Sequence, residues 1–194
     1  MKYNLTRILE IAGIGLIVLA VGTMLLSGGL QKRWASEARQ TAEILYSYLP
    51  PVQTGIPEER TNPAMPVLEI DGNNYAGILE IPAYNTFLPI GGQWDRMKIL
   101  RYPCIYAGNI FEDNLILGGS DAAGQLDFMK KISNGERIWI TDMTGIRMCY
   151  EVSSIERTPD VSVDHLTGKE EDFVIFARNT YAFDYTVIRC IRKS

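Results

Sequence analysis

The chain is poor in the residues that build metal and redox centres: of its 194 residues, three are cysteine and one is histidine. Scattered as Cys104, Cys149, Cys190 and His165, they have none of the spacing that a zinc cluster needs, so no metal site is expected. Positive charge is scarce as well. Lys and Arg number 19 against 23 Asp and Glu, and residues 67–194 hold 13 against 18. An acidic body repels phosphate backbones, which argues against nucleic-acid binding. No internal repeat, low-complexity tract or phosphate loop is present. Gly91-Gly92 and Gly118-Gly119 are isolated pairs that match neither a dinucleotide nor a Walker pattern. They read as tight backbone passages beside strands, and no cofactor is expected.

What remains is 46% apolar residues in a length that suits one globular core with appendages, not two full domains. The first appendage is an uncharged run of twenty residues, 11–30. At about 1.5 Å per residue a helix of that length spans roughly 30 Å, the thickness of a bilayer's hydrocarbon core. The run exceeds the usual core of a signal peptide and no small-x-small cleavage site follows it, so a retained anchor over residues 8–30 is expected, after a short segment 1–7. Lys2 and Arg7 before the run balance Lys32 and Arg33 after it, which leaves orientation open on charge alone.

Residues 31–49 predict a juxtamembrane helix, because Trp34, Ala38, Ala42, Leu45 and Leu49 recur three and four apart. Pro50 and Pro51 end it. Five of the nine prolines lie between residues 50 and 66, with Gly55 and Glu58-Glu59-Arg60 among them. That composition predicts a stiff spacer holding the domain, residues 67–194, off the membrane.

Within the domain, runs rich in Ile, Val, Phe and Tyr alternate with turn signals such as Ser133-Asn134-Gly135 and Met143-Thr144-Gly145. They predict eight strands, at 77–81, 87–90, 104–107, 114–119, 136–141, 146–155, 173–176 and 185–191. Ile146, Met148, Tyr150 and Val152 alternate with Arg147, Cys149, Glu151 and Ser153, marking a half-buried strand. The fourth and seventh runs, NLILGG and FVIFA, are nearly all apolar, as in central strands covered on both faces. One helix is predicted at 125–132, where Leu126, Met129 and Ile132 fall three apart. The fold class is mainly β, a barrel or sandwich.

Several stretches together resemble the sortases, membrane-anchored cysteine transpeptidases of Gram-positive bacteria. YAGILEIP with FLPI is similar to that family's opening strands. WDRMKILRYPCIYAG, DNLILGGSD and NGERIWITD follow in the family's order, and DFVIFAR and YTVIRCIRKS resemble its last two strands. The resemblance covers residues 75–194. It implies an eight-stranded β-barrel with one or two short helices, an external C-terminal domain and a single-pass location in the cell membrane.

The family's chemistry uses a cysteine nucleophile at the end of the seventh strand, a histidine after the fourth and an arginine on the eighth. The matching positions here are Arg178, Ser120 and Tyr185, with Ala177 where the family has threonine. A slip of one residue restores none of them. Arg189 is four residues from the arginine position, about 13 Å along a strand, and His165 lies between the sixth and seventh strands. The resemblance thus implies a degenerate site without an intact triad.

An unpaired, partly buried Arg178 costs several kcal/mol by desolvation. It is therefore expected to pair with Asp121 or Asp184, as a structural plug of the old pocket. The sharper alternative is an anion-seeking Arg178 that grips a peptide carboxylate, with Tyr185 as second donor. An external domain permits a Cys104–Cys190 disulfide, although buried free thiols are the favoured reading, and Cys149 is expected to be the most accessible thiol.

Three functions stay open. The first is a pseudo-sortase that binds surface-protein or pilin segments or assists an active sortase in wall or pilus assembly. The second is a transpeptidase or hydrolase of altered site, using Ser120. The third is a structural envelope module with a closed groove.

Overall fold

The computed structural model describes residues 2–55, 64–167, 171–180 and 182–193. A single helix, α1 (Lys2–Tyr48), comes first. Ten strands follow: β1 (Gln53–Thr54), β2 (Leu68–Ile70), β3 (Asn73–Ile81), β4 (Thr86–Gly91), β5 (Cys104–Ala107), β6 (Leu115–Ser120), β7 (Arg137–Asp142), β8 (Ile146–Thr158), β9 (Phe173–Arg178) and β10 (Tyr185–Lys193). A four-residue helix, α2 (Val163–Leu166), lies between β8 and β9. Eight strands close a barrel in the order β3-β4-β5-β6-β9-β10-β8-β7, with β7 pairing back onto β3. The eight strands expected from the Ile-, Val-, Phe- and Tyr-rich runs are these eight. β1 and β2, too short to show a period, lie outside the closed circuit.

The barrel interior is filled by one face of each strand. Ile146, Met148, Tyr150 and Val152 of β8 are all buried there, with Leu115 and Leu117 of β6 and Phe173, Ile175 and Ala177 of β9. β6 and β9 run parallel at the centre of the sheet, and both are buried on their two faces nearly to their ends. Asp142 shapes the β7–β8 turn, accepting hydrogen bonds from the Thr144 and Ile146 amides (both 2.9 Å) while Gly145 takes a φ of +81° that suits glycine.

Three expectations are corrected. The two separate N-terminal helices form one, and its second half packs on the barrel instead of standing apart. Ala38, Ala42 and Leu45 are buried, the last two against Tyr75, Ile78, Tyr102 and Cys104, and the edge of Tyr46 meets Phe87 at 6.0 Å. The small alanines let the helix backbone approach the sheet. The Pro-rich segment leaves the far end of the docked helix and contributes β1, paired with β8 through Gln53 and Ile146. Its middle, with Glu58-Glu59-Arg60, lies outside the described residues.

The helix expected at 125–132 is a 3-10 turn, Asp127–Lys130. Leu126, Met129 and Ile132 are buried, and their spacing of three is the period of that tighter helix.

Among the described side chains of residues 12–30, Ile14, Ile17, Val18 and Leu19 are exposed, and this helix is long and apolar enough to cross a membrane. Leu45→Ala is expected to cost about 2–5 kcal/mol, the range for a leucine deleted from a packed site. Chemical denaturation of the full chain measures it.

Candidate functional site

The parallel pairing of β6 with β9 sets the geometry of the site. Its register runs from Leu115 opposite Phe173 to Ser120 opposite Arg178, the last residue of each strand. On the other side of β9, antiparallel β10 places Tyr185, its first residue, opposite Arg178. Ser120, Arg178 and Tyr185 are thus lateral neighbours in one row across three strands. All three line the same cleft, an open depression of about 830 Å³ on the outer face of the barrel.

Below this row the cleft wall is aromatic. Phe176 lies two residues before Arg178 on the same face of β9. Its ring meets Tyr106 edge-on at 5.2 Å, Trp94 at 5.8 Å and Tyr185 at 6.1 Å, and Trp94 meets Tyr106 at 4.9 Å. Gly118 makes room for them: a Cβ there would lie 2.5 Å from both Phe176 and Trp94. The Gly118-Gly119 pair is a close passage, as its sequence context implied. Arg96 adds a second guanidinium to the lining, and Phe183, 97% exposed, stands beside it.

Arg178 is exposed and makes no ion pair with a described residue, which overturns its expected pairing with Asp121 or Asp184. Both acids are engaged elsewhere. Asp121, buried, accepts from the Thr180 amide (2.8 Å) and from the Thr180 hydroxyl, and pairs with Lys130 Nζ at 2.9 Å. Asp184 accepts from Asn179 Nδ2 at 2.6 Å, and Thr186 donates to the other end of that amide at 3.0 Å. These bonds brace the 179–184 turn. They leave the end of β9 open, and the solvated guanidinium escapes the desolvation cost that a buried one would need a partner to offset.

Ser120 Oγ accepts a 3.3 Å hydrogen bond from the Ala122 amide, and no histidine is among the described residues that line the cleft with it. Ala177 points into the barrel core, away from the cleft. His165 and Arg189 do not line it either. Arg189 is buried beneath α2, paired with Glu156 at 2.8 Å and donating to the carbonyls of His165 (3.0 Å) and Leu166 (3.2 Å), so it fastens α2 to the barrel.

All three cysteines are free and buried. Cys104 and Cys190 sit in separate clusters, which excludes the disulfide. Cys149, expected to be accessible, is covered as well. Burial pushes the Cys104 thiol up to about 12 and raises those of Cys149 and Cys190, so none is a ready nucleophile.

The aromatic wall and Arg96 escaped the sequence reading. Phe176 shares the period-two face of Arg178, a signal that was there to use. Trp94 and Arg96 come from the irregular β4–β5 connection, where no period exists.

No family model matches the chain, and no curated protein matches it by sequence. Solved structures do. Sortase A of Listeria monocytogenes aligns with a TM-score of 0.53 at 13% identity, covering 62% of this chain and 88% of that one. A lid mutant of Streptococcus agalactiae sortase C1 aligns at 0.53 and 18%, covering 66% and 71%. The Clostridium perfringens sortase D5 transpeptidase aligns at 0.54 and 17%, covering 63% and 81%. At these identities the likeness is one of fold: the barrel is a sortase-like barrel.

Burial alone would raise the Asp121 carboxyl, but the Thr180 hydroxyl, Lys130 and the Thr180 amide outweigh it and hold the group below the ordinary carboxylate range. A carboxyl lowered on folding stabilises fully above its unfolded value and loses that contribution as pH falls through its folded one. Asp121→Asn is therefore expected to cost about 1–3 kcal/mol near neutrality. It is also expected to flatten the acid side of the stability curve, and denaturation midpoints measured from pH 7 down to pH 3 check both.

Proposed function

We propose that this chain is a membrane-anchored pseudo-sortase: a sortase-like barrel that holds a segment of a surface protein or pilin in its cleft without cutting it, assisting an active sortase in wall or pilus assembly. α1 is the single-pass anchor and the barrel faces the outside. In this reading Ser120, Arg178 and Tyr185 occupy the positions of the family's histidine, cysteine and arginine.

The observation that carries the reading is the row itself. The three residues stand side by side on an open cleft, while every thiol is buried and the one imidazole lies elsewhere. Covalent transpeptidation needs an activated nucleophile, and a serine without a base is a weak one. This weighs against a hydrolase that uses Ser120. The cleft's openness weighs against a closed structural module. Binding draws on other features: an aromatic wall offers apolar contact, and Arg178 with Arg96 offers two guanidinium forks suited to carboxylates.

The test incubates the full chain, in detergent micelles, with a pool of sorting-signal and pilin-tail peptides and hydroxylamine. Mass spectrometry reads cleavage and fluorescence anisotropy reads binding. Binding without cleavage is expected, with Arg178→Glu weakening acidic peptides about tenfold or more. The triple variant Arg178→Cys, Ser120→His, Tyr185→Arg is expected to gain cleavage. Turnover by the unaltered chain overturns the pseudoenzyme reading, and absence of binding to every peptide overturns the cleft's role.

A further inference from the structure

The apolar run of α1 ends at Leu30, and the barrel touches the helix from Trp34 onward, about 6 Å further along its axis. Two loops reach this lowest docked turn. The Arg101 guanidinium, from the β4–β5 connection, lies 5.6 Å above the Trp34 ring, and Gly124 abuts Ala35. The β4–β5 connection also carries Met97, 72% exposed, and Leu100, 41% exposed, interleaved with Arg96, Lys98 and Arg101. Its one acid, Asp95, caps the loop's own turn, accepting from the Met97 and Lys98 amides at 2.7 and 3.0 Å, and the three bases outnumber it. α1 adds Lys32 and Arg33 at the same level, the latter paired with Glu37. In a domain with five more acids than bases, this is a local reversal of charge with two bare apolar side chains at its centre.

We infer that the β4–β5 connection is a membrane-surface contact. Met97 and Leu100 enter the boundary between headgroups and acyl chains, and Lys98, Arg96 and Arg101 meet the phosphates of anionic phospholipids. The ligand is the lipid surface that surrounds α1, continuous with the helix's own apolar face. Arg96 and Leu100 also line the cleft, so its rim lies at the membrane surface and a bound segment enters along the bilayer. The inference rests on the anchor reading of α1; it shares Arg96 with the cleft, and the Met97 readout does not depend on a ligand there.

The test places one environment-sensitive fluorophore on the full chain, reconstituted in vesicles of phosphatidylcholine alone or mixed with phosphatidylglycerol. The buried native thiols leave an introduced surface cysteine as the reactive one. Met97→Cys reports the loop and Leu19→Cys the apolar helix. Tyr48→Cys reports the far end of α1, about 27 Å beyond Leu30 along the helix. Lipids carrying a quencher near the headgroup are expected to quench the Met97 site, more strongly with phosphatidylglycerol, and to leave Tyr48 bright. Arg96→Gln with Lys98→Gln is expected to lower the fraction in contact on the order of tenfold. A quenched Leu19 site with a Met97 site as bright as Tyr48 overturns the inference. A Leu19 site untouched by deep quenchers overturns the anchor and the inference with it. Leu100→Cys repeats the measurement at a second exposed position on the loop.

Discussion

The parallel pairing of β6 with β9 is the constraint on which the rest of the site depends. Both strands are apolar on both faces, so shape and not polarity fixes their register: a slip by one residue would exchange the core set, Leu115 and Leu117 with Phe173 and Ile175, for the outward set, and would carry Gly118 away from the Phe176 and Trp94 rings it makes room for. Parallel strands also begin and end together, which brings the two chain exits, after Ser120 and after Arg178, to one edge of the sheet. A crevice at such an edge needs no further design. Asp121 then secures it, because its bonds to Thr180 and Lys130 tie the exit of β6 to the exit of β9.

The second constraint is the continuity of α1. A helix that leaves an apolar run and docks within one turn transmits its orientation to the barrel, whereas a flexible tether would not. The docking is made by Ala38, Ala42 and Leu45, residues too small or too well packed to slide freely, and by Arg39, which donates to the Asn85 carbonyl at 3.4 Å. The cleft, the β4–β5 connection and the docked part of α1 consequently have a fixed relation, set by the same packing that stabilises the domain.

Much of this was legible in the sequence wherever a period exists. The eight barrel strands followed from runs rich in Ile, Val, Phe and Tyr between turn signals, and the unbroken apolar runs of β6 and β9 announced central strands. The order of the matched stretches places Ser120, Arg178 and Tyr185 at strand ends, where the structure has them. Tertiary context decided what was missed. The pairing of α1 with the sheet is written only as a stripe of alanines, which a free helix carries as readily. Cys149 sits on the nominally polar face of β8, but strands pair on both sides of it, Trp139 on β7 and Lys193 on β10, and their long side chains cover it. The cleft wall draws Trp94 from a connection without regular structure and Phe176 from a strand whose apolar character was already accounted for by burial.

Arg178 shows where reasoning from burial alone fails. A charge in a closed pocket requires a partner, and on that premise Asp121 or Asp184 had to supply one. Both acids are consumed within the turn they brace, yet the arginine remains tolerable because the site is open to water and the guanidinium keeps its hydration. Its presence thus adds little strain to the fold while changing what the cleft favours. A planar, permanently charged fork beside an aromatic wall attracts carboxylates and repels cationic segments.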